Sequence, residues 1–269
     1  MKRLIIRPGG VGDCILALPA MEELRADTTE VWVASANVPL IRFADSARSI
    51  ASTGLDLLGM PDRDPPPGVL DRLAAFDSIV SWYGTQRTEF RASVAGLPFR
   101  FLDALPDRSG LHAADFFLSQ VGPASRPAIP RIECPPTERA GFVAIHPFSG
   151  SAKKNWPLDR FRELARRLDA PVRWCAGPAE PLEGAERFDS LYDLACWLRS
   201  ASLYIGNDSG ITHLAAAVGT PVVALFGPTD PAIWAPRGDR VSVVATARPG
   251  EAIEAIALTE VVSAAGRTR

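Results

Sequence analysis

Leu203-Tyr204-Ile205-Gly206-Asn207-Asp208-Ser209-Gly210-Ile211-Thr212-His213 runs on through an alanine-rich stretch to Pro221-Val222-Val223-Ala224-Leu225-Phe226. Two short apolar runs flank a segment with helical character, so the stretch reads strand, helix, strand. The first run ends in Asn207-Asp208-Ser209-Gly210, which gathers a carboxylate, a hydroxyl and unpaired backbone N–H groups where the helix begins. Such a turn suits a phosphate or a sugar hydroxyl.

The same arrangement recurs twice. Lys2 to Arg7 is a short apolar strand that enters Pro8-Gly9-Gly10-Val11-Gly12-Asp13 and a helix to Arg25. Phe142 to His146 enters Pro147-Phe148-Ser149-Gly150-Ser151-Ala152-Lys153-Lys154-Asn155-Trp156-Pro157 and a helix to Leu168. Strands and helices alternate elsewhere too, at 31–34, 78–82, 99–102, 171–175 and 202–205 for strands and 89–95, 112–121, 190–200, 210–218 and 259–265 for helices. Alternation of this kind predicts parallel sheets covered by helices on both faces, with ligands at the carboxyl ends of strands.

Between Gly122 and Thr137 five prolines stand without periodicity, the composition of a linker. The expected organisation is α/β, with two Rossmann-like domains facing a cleft: residues 1–133, then residues 134–269.

Composition narrows the partners. The chain has 269 residues, 47% of them hydrophobic and 22% charged, with a net charge of −2 and no basic run, so nucleic acid is not the expected partner. Four cysteines without a C-x-x-C pair and only three histidines argue against disulfides and a zinc site. The apolar stretch from Ile15 to Leu24 is interrupted by Pro19 and two glutamates and is too short to span a bilayer. A cytoplasmic protein is expected, with peripheral membrane contact open.

Each polar turn has a competing structural explanation. Gly10 and Gly12 invite comparison with the dinucleotide fingerprint, yet Ile15 stands where its third glycine belongs, and Asp13 would repel a pyrophosphate. A carboxylate at that place caps the helix, worth about 0.3–1 kcal/mol, or serves as a general base on a glycine turn. Ser149, Gly150, Ser151 and Lys154 combine hydroxyls, a flexible backbone and a cation before a helix whose first turn suits Pro157, which favours a diphosphate. Trp156 is expected to pack and fix that loop. Asn207, Asp208 and Ser209 are all good capping residues, but one helix does not need three. His213 on an apolar helix reads equally as a structural donor. Glu180, after Ala176-Gly177-Pro178-Ala179, reads as a loop residue, and Asp62-x-Asp64 as a solvated turn.

Taken together, Gly12-Asp13 with Leu18-Pro19, His146-Pro147 through Trp156-Pro157, Asn207-Asp208-Ser209-Gly210-x-x-His213 and Phe226-Gly227-Pro228-Thr229-Asp230 resemble the ADP-heptose:lipopolysaccharide heptosyltransferase family, glycosyltransferase family 9. The resemblance implies a GT-B fold and an inverting, metal-independent transfer of a sugar, such as heptose from ADP-heptose, to a lipopolysaccharide-core or other surface-glycan acceptor. It implies no cofactor beyond the nucleotide-sugar donor. By the family's pattern Asp13 takes the proton of the acceptor hydroxyl. Ser149, Gly150 and Lys154 correspond to diphosphate contacts, Glu180 to the acid on the ribose, and Asp208, Ser209 and Gly210 to the donor loop, with Ser151 and His213 beside them. The chain is short for that family, mainly in its N-terminal half, which is expected to build the acceptor site. Two rival readings fit the same fold: a nucleotide-sugar epimerase or hydrolase, and a degenerate member that binds without turnover.

Overall fold

The computed structural model describes residues 1–106, 110–123 and 127–268. Among the described residues ten strands form two wholly parallel sheets of five. Residues 1–109 and 113–128 make one compact unit, and residues 110–112 and 129–269 the other.

The first unit contains β1 (Lys2–Arg7), α1 (Val11–Glu23), β2 (Thr28–Val33), β3 (Ser46–Ser49), α2 (Val69–Ala74), β4 (Ser78–Ser81), α3 (Thr88–Ser93), β5 (Phe99–Phe101) and α4 (Ala113–Ser119). Its sheet order is β3-β2-β1-β4-β5. Leu4, Ile5 and Ile6 are fully buried, because a central parallel strand is covered on both faces and must be apolar throughout. The strand order reverses direction between β1 and β4, which puts the glycine turn after β1 at the topological switch point. Pro19 stands inside α1 without ending it.

The second unit contains β6 (Val143–His146), α5 (Leu158–Arg167), β7 (Val172–Trp174), α6 (Leu191–Ser200), β8 (Leu203–Asn207), α7 (Gly210–Ala217), β9 (Val222–Phe226), α8 (Pro231–Trp234), β10 (Val241–Ala245) and α9 (Leu258–Thr268). Its order is β10-β9-β8-β6-β7, with the switch point between β6 and β8. The turns after these two strands are the two that the sequence marks as polar. β8 and β9 are buried at every position, and α7 between them is apolar nearly all round, as a central crossover helix should be. α5 buries Phe161 and Leu164 at a spacing of three, and Trp156 meets Phe161 edge to face at 5.0 Å. Asp159 in its first turn and Arg166 and Arg167 in its last complement the helix dipole.

The elements predicted from the sequence are present within a few residues of their expected ends. Four were missed for local reasons, among them α8, a single turn of four residues capped by the Asp230 side chain. β3 reads Ser-Ala-Arg-Ser, with no apolar run; it is an edge strand paired to β2 from Glu30↔Ser46 to Val33↔Ser49 and tied by Arg48 Nε to Glu30 Oε1 at 2.8 Å. α2 is too short to show a period, and β10 is a half-exposed edge strand. The units divide at 128/129, where the sequence placed the division at 133/134. The Ile132 N–H donates to Ala217 O at 3.0 Å and the Tyr192 hydroxyl to Glu133 O at 3.2 Å, so the proline-rich segment already belongs to the second unit there. Residues 124–126 of the expected linker lie outside the described residues.

Close packing inside β8 requires a glycine. The Tyr204 ring folds over Gly206, where a Cβ would come to 2.3 Å from the tyrosine Oη and 2.8 Å from its Cζ. Gly206→Ala is therefore expected to destabilise the protein by about 1–3 kcal/mol through overpacking. Urea unfolding of the variant reads this directly, and an unchanged midpoint would contradict the contact.

Candidate active site

In the second unit the site is assembled at the carboxyl ends of β6, β7 and β8. Asn207 is fully buried; its side-chain amide donates to Pro147 O at 2.8 Å, and its Oδ1 accepts the Trp156 N–H at 3.0 Å. One side chain thus fastens the 147–156 loop to the end of β8 by both of its ends. Trp156, 1% exposed, donates through Nε1 to Ile256 O at 3.2 Å and anchors the same loop from below, the packing role expected of it.

The three capping types at 207–209 divide the work. Only Ser209 caps α7, accepting the Thr212 N–H. Asp208 turns the other way: its Oδ2 receives Lys154 Nζ at 3.1 Å and the Thr229 hydroxyl at 2.6 Å. This carboxylate is 8% exposed and Lys154 25%, so the pair is shielded from water and screened less than a surface ion pair. Ser149 Oγ lies 2.8 Å from Ser151 O and 2.7 Å from Asn155 Oδ1, folding the loop back on itself. A Cβ at Gly150 would meet nothing within 4 Å, and Lys153 is exposed. Of the two lysines, Lys154 is the one brought to Asp208. His213 is 5% exposed, within the buried face of α7.

Glu180 is reached from β7. The loop that carries it is fixed by Arg187, whose Nη2 donates to Glu180 O at 2.8 Å. Glu180 Oε2 accepts His146 Nε2 at 2.8 Å and the Gly177 N–H at 2.6 Å. Burial works to raise this carboxyl, but the hydrogen bonds from His146 and Gly177, helped by the nearby His146 and Arg187, hold it below the usual carboxylate range. The sequence singles out the segment that holds His146 without giving that residue a role, and nothing local links it to a partner 34 positions away.

In the first unit, Asp13 lies in the first turn of α1, and its Oδ2 accepts the Gly10 N–H at 2.9 Å. Gly9 adopts φ 114°, and a Cβ there would come within 2.8 Å of Asp13 Oδ2, so the turn both needs glycine and crowds the carboxylate. Capping therefore occupies one oxygen. The other, Oδ1, lies 3.9 Å from Nη2 of Arg7, and the Asp13 side chain is 37% exposed. Arg7 is 2% exposed and lies over the rings of Phe117, at 4.6 Å, and Trp82, at 6.0 Å. Burial lowers its pKa, with the Asp13 charge opposing. Among the described residues its Nε and Nη2 have no hydrogen-bond partner. In the sequence Arg7 reads only as the end of a strand; a cation ending an apolar strand beside a glycine turn was the available signal. The neighbouring Cys14 thiol is pushed up to about 12 by burial, which keeps it protonated and makes it no nucleophile.

Asp62 and Asp64 are exposed, and among the described residues no group of three or more His, Cys, Asp or Glu is arranged to hold a metal ion. Arg87 donates to the Tyr83 hydroxyl, Arg91 lies 4.6 Å over the Phe101 ring and Arg100 donates to Gln120 O, so all three are engaged within their own unit. Among the described residues no helix is long and apolar enough to cross a membrane.

Residues 126–255 match glycosyltransferase family 9 (heptosyltransferase), a stretch that holds the site residues from His146 to His213 but not Asp13. Lipopolysaccharide heptosyltransferase 3 of Escherichia coli is 32% identical over 117 residues, which is 35% of this chain and 33% of that protein. Lipopolysaccharide heptosyltransferase 1 of Pseudomonas aeruginosa is 37% identical over 93 residues, 29% of this chain and 26% of that protein. The chain thus spans about a third of the length of the curated relatives it matches. Among solved structures, a family 9 glycosyl transferase from Veillonella parvula superimposes with a TM-score of 0.76 at 19% identity, covering 99% of this chain and 97% of that one. Escherichia coli heptosyltransferase WaaC with ADP gives 0.75 at 18% identity, covering 100% of both.

The Glu180 environment fixes the sign of a pH effect. A carboxyl whose pKa is lowered on folding contributes stability that is present above its unfolded value and lost as pH falls through the folded one. The difference in Tm between wild type and Glu180→Gln is expected to narrow from neutral pH to below about pH 4, and a difference that stays constant over that range would contradict the hydrogen bonding described. The motifs, the matched segment and the two superpositions agree: residues 126–255 are similar to glycosyltransferase family 9 (heptosyltransferase), and the two parallel-sheet units have the GT-B fold.

Proposed function

We propose that the protein is an inverting glycosyltransferase that moves a heptose or related sugar from a nucleoside diphosphate, in the first instance ADP-heptose, to a lipopolysaccharide-core or other surface-glycan acceptor. The observation that carries the reading is the Lys154–Asp208 pair, 3.1 Å apart at the switch point of the second sheet and inside the family 9 segment. A shielded cation at that place, beside the N-terminus of α7, suits a diphosphate. Relatives named as lipopolysaccharide heptosyltransferases support the choice of sugar and acceptor.

In this reading the acceptor hydroxyl attacks the anomeric carbon as its proton passes to Asp13. The bond from that carbon to the diphosphate oxygen breaks, and the nucleoside diphosphate leaves with the electron pair. Lys154 meets the charge that develops on the leaving oxygen, a form of electrostatic stabilisation worth most where water is excluded. Asp208 holds the lysine until the diphosphate arrives, and Ser149, Gly150 and Ser151 supply hydroxyl and backbone donors. Glu180 receives the ribose. Asp13 is oriented by its bond from Gly10 and by the Arg7 guanidinium. Lys154 does the work that a divalent ion does in other transferases, so no metal is required and the nucleotide-sugar is the sole small-molecule partner. The acceptor brings the enzyme to the cytoplasmic face of the membrane.

Calorimetric titration with ADP in the presence of EDTA tests the donor half. Wild type is expected to bind, and Lys154→Ala to bind about tenfold or more weakly, as expected for losing a charge-assisted contact. Asp13→Asn is expected to bind ADP as wild type does while losing transfer. No binding by wild type, or equal binding by Lys154→Ala, would contradict the assignment.

A further inference from the structure

The His146–Glu180 pair has a geometry that a simple loop brace does not need. His146 ends β6 with its side chain 6% exposed, and its ring meets Phe148 edge to face at 6.0 Å. Glu180 follows β7, the neighbouring strand, and is 28% exposed at its side chain. Both hydrogen bonds to the carboxylate, from His146 Nε2 and from the Gly177 N–H, fall on Oε2. Among the described residues Oε1 accepts none.

An ionised carboxylate only accepts, so Nε2 must carry the proton. Nδ1 of the same ring is buried and, among the described residues, has no partner. With the proton on Nδ1 instead, a donor would be orphaned in the core and two lone pairs would face each other, so the Nε2–H form is the one this environment selects. The main chain is equally committed. Ala176 N–H donates to Glu186 O at 3.1 Å, Glu186 N–H to Trp174 O at 2.8 Å, and Glu180 N–H to Gly177 O at 3.1 Å. One oxygen is pinned from two sides and the other is left with both lone pairs, the number needed to accept from two adjacent hydroxyls.

We propose that His146 is a positioning residue for nucleoside recognition: by holding Oε2 of Glu180 it presents Oε1 to the vicinal diol of the donor's ribose. The inference rests on the donor-site reading of the second unit and adds to it the residue that makes Glu180 selective. Its consequence is a preference for ribose over deoxygenated sugars that depends on a side chain with no ligand contact of its own.

The test compares the affinities of ADP, 2′,3′-dideoxy-ADP and inorganic diphosphate for wild type, His146→Gln and His146→Asn, with circular dichroism as the check on folding. The glutamine amide reaches the place of Nε2, whereas the asparagine amide reaches only that of Nδ1. Wild type is expected to prefer ADP over the dideoxy compound by about tenfold or more. His146→Gln keeps most of that preference, and His146→Asn brings it close to unity with diphosphate affinity unchanged. Should the asparagine variant not fold, His146→Leu replaces it, with the same loss expected. A preference that survives in the Asn or Leu variant overturns the proposal, as does a parallel loss of ADP and diphosphate affinity, which marks a brace for the whole site. Failure of wild type to bind ADP overturns the donor-site reading itself.

Discussion

The candidate site depends most on the two hydrogen bonds of the Asn207 side chain. Parallel sheets bring the ends of β6 and β8 side by side at the switch point, but strand pairing alone leaves the loops beyond them free to choose a conformation. Asn207 removes that freedom. Its amide takes the carbonyl of Pro147 and the N–H of Trp156, closing the 147–156 loop at both ends from a position with no exposed surface. Because each partner is a buried backbone group, loss of the amide would leave two polar atoms unsatisfied, a cost of roughly 1–3 kcal/mol each. The position of Lys154 relative to Asp208 depends on that closure. Tyr204 packed over Gly206 and Ser209 capping α7 fix the same turn from the strand and helix sides.

Much of this was legible in the sequence because the central elements of a parallel sheet are apolar at every position. Leu4-Ile5-Ile6, Val143-Ala144-Ile145 and Val222 to Phe226 announce themselves, and the polar turns after β1, β6 and β8 mark where a ligand can sit. Edge elements do not obey the same constraint. β3 is held by its neighbour and by an Arg48–Glu30 bridge, neither of which leaves a local pattern. Within the site, Lys154, Asp208, Ser209 and Asp13 could be picked out from residue type and place. What each one touches could not, since the Lys154–Asp208 contact joins residues 54 positions apart. Three capping residues in a row posed a question that only geometry answers: one braces a loop, one binds a cation and one caps.

The two units handle charge differently. In the second, Lys154 and Glu180 each have polar partners and partial access to water. In the first, Arg7 is buried against aromatic faces with a carboxylate at 3.9 Å. A buried cation without full hydrogen bonding is costly, and here its charge lies beside Asp13 Oδ1, the oxygen that the Gly10 N–H does not hold. The glycine turn completes the arrangement, as only Gly9 leaves room for the carboxylate to reach the Gly10 N–H.

Product analysis tests the central claim most directly. The purified chain is incubated with ADP-heptose and a truncated lipopolysaccharide core in EDTA, and the products are read by mass spectrometry and by the anomeric signals in NMR. The expected product is an acceptor one heptose heavier, carrying the inverted anomer, formed by wild type and not by Asp13→Asn. Free heptose or an isomerised donor without any heavier acceptor would contradict the transferase mechanism, as would transfer that persists in Asp13→Asn.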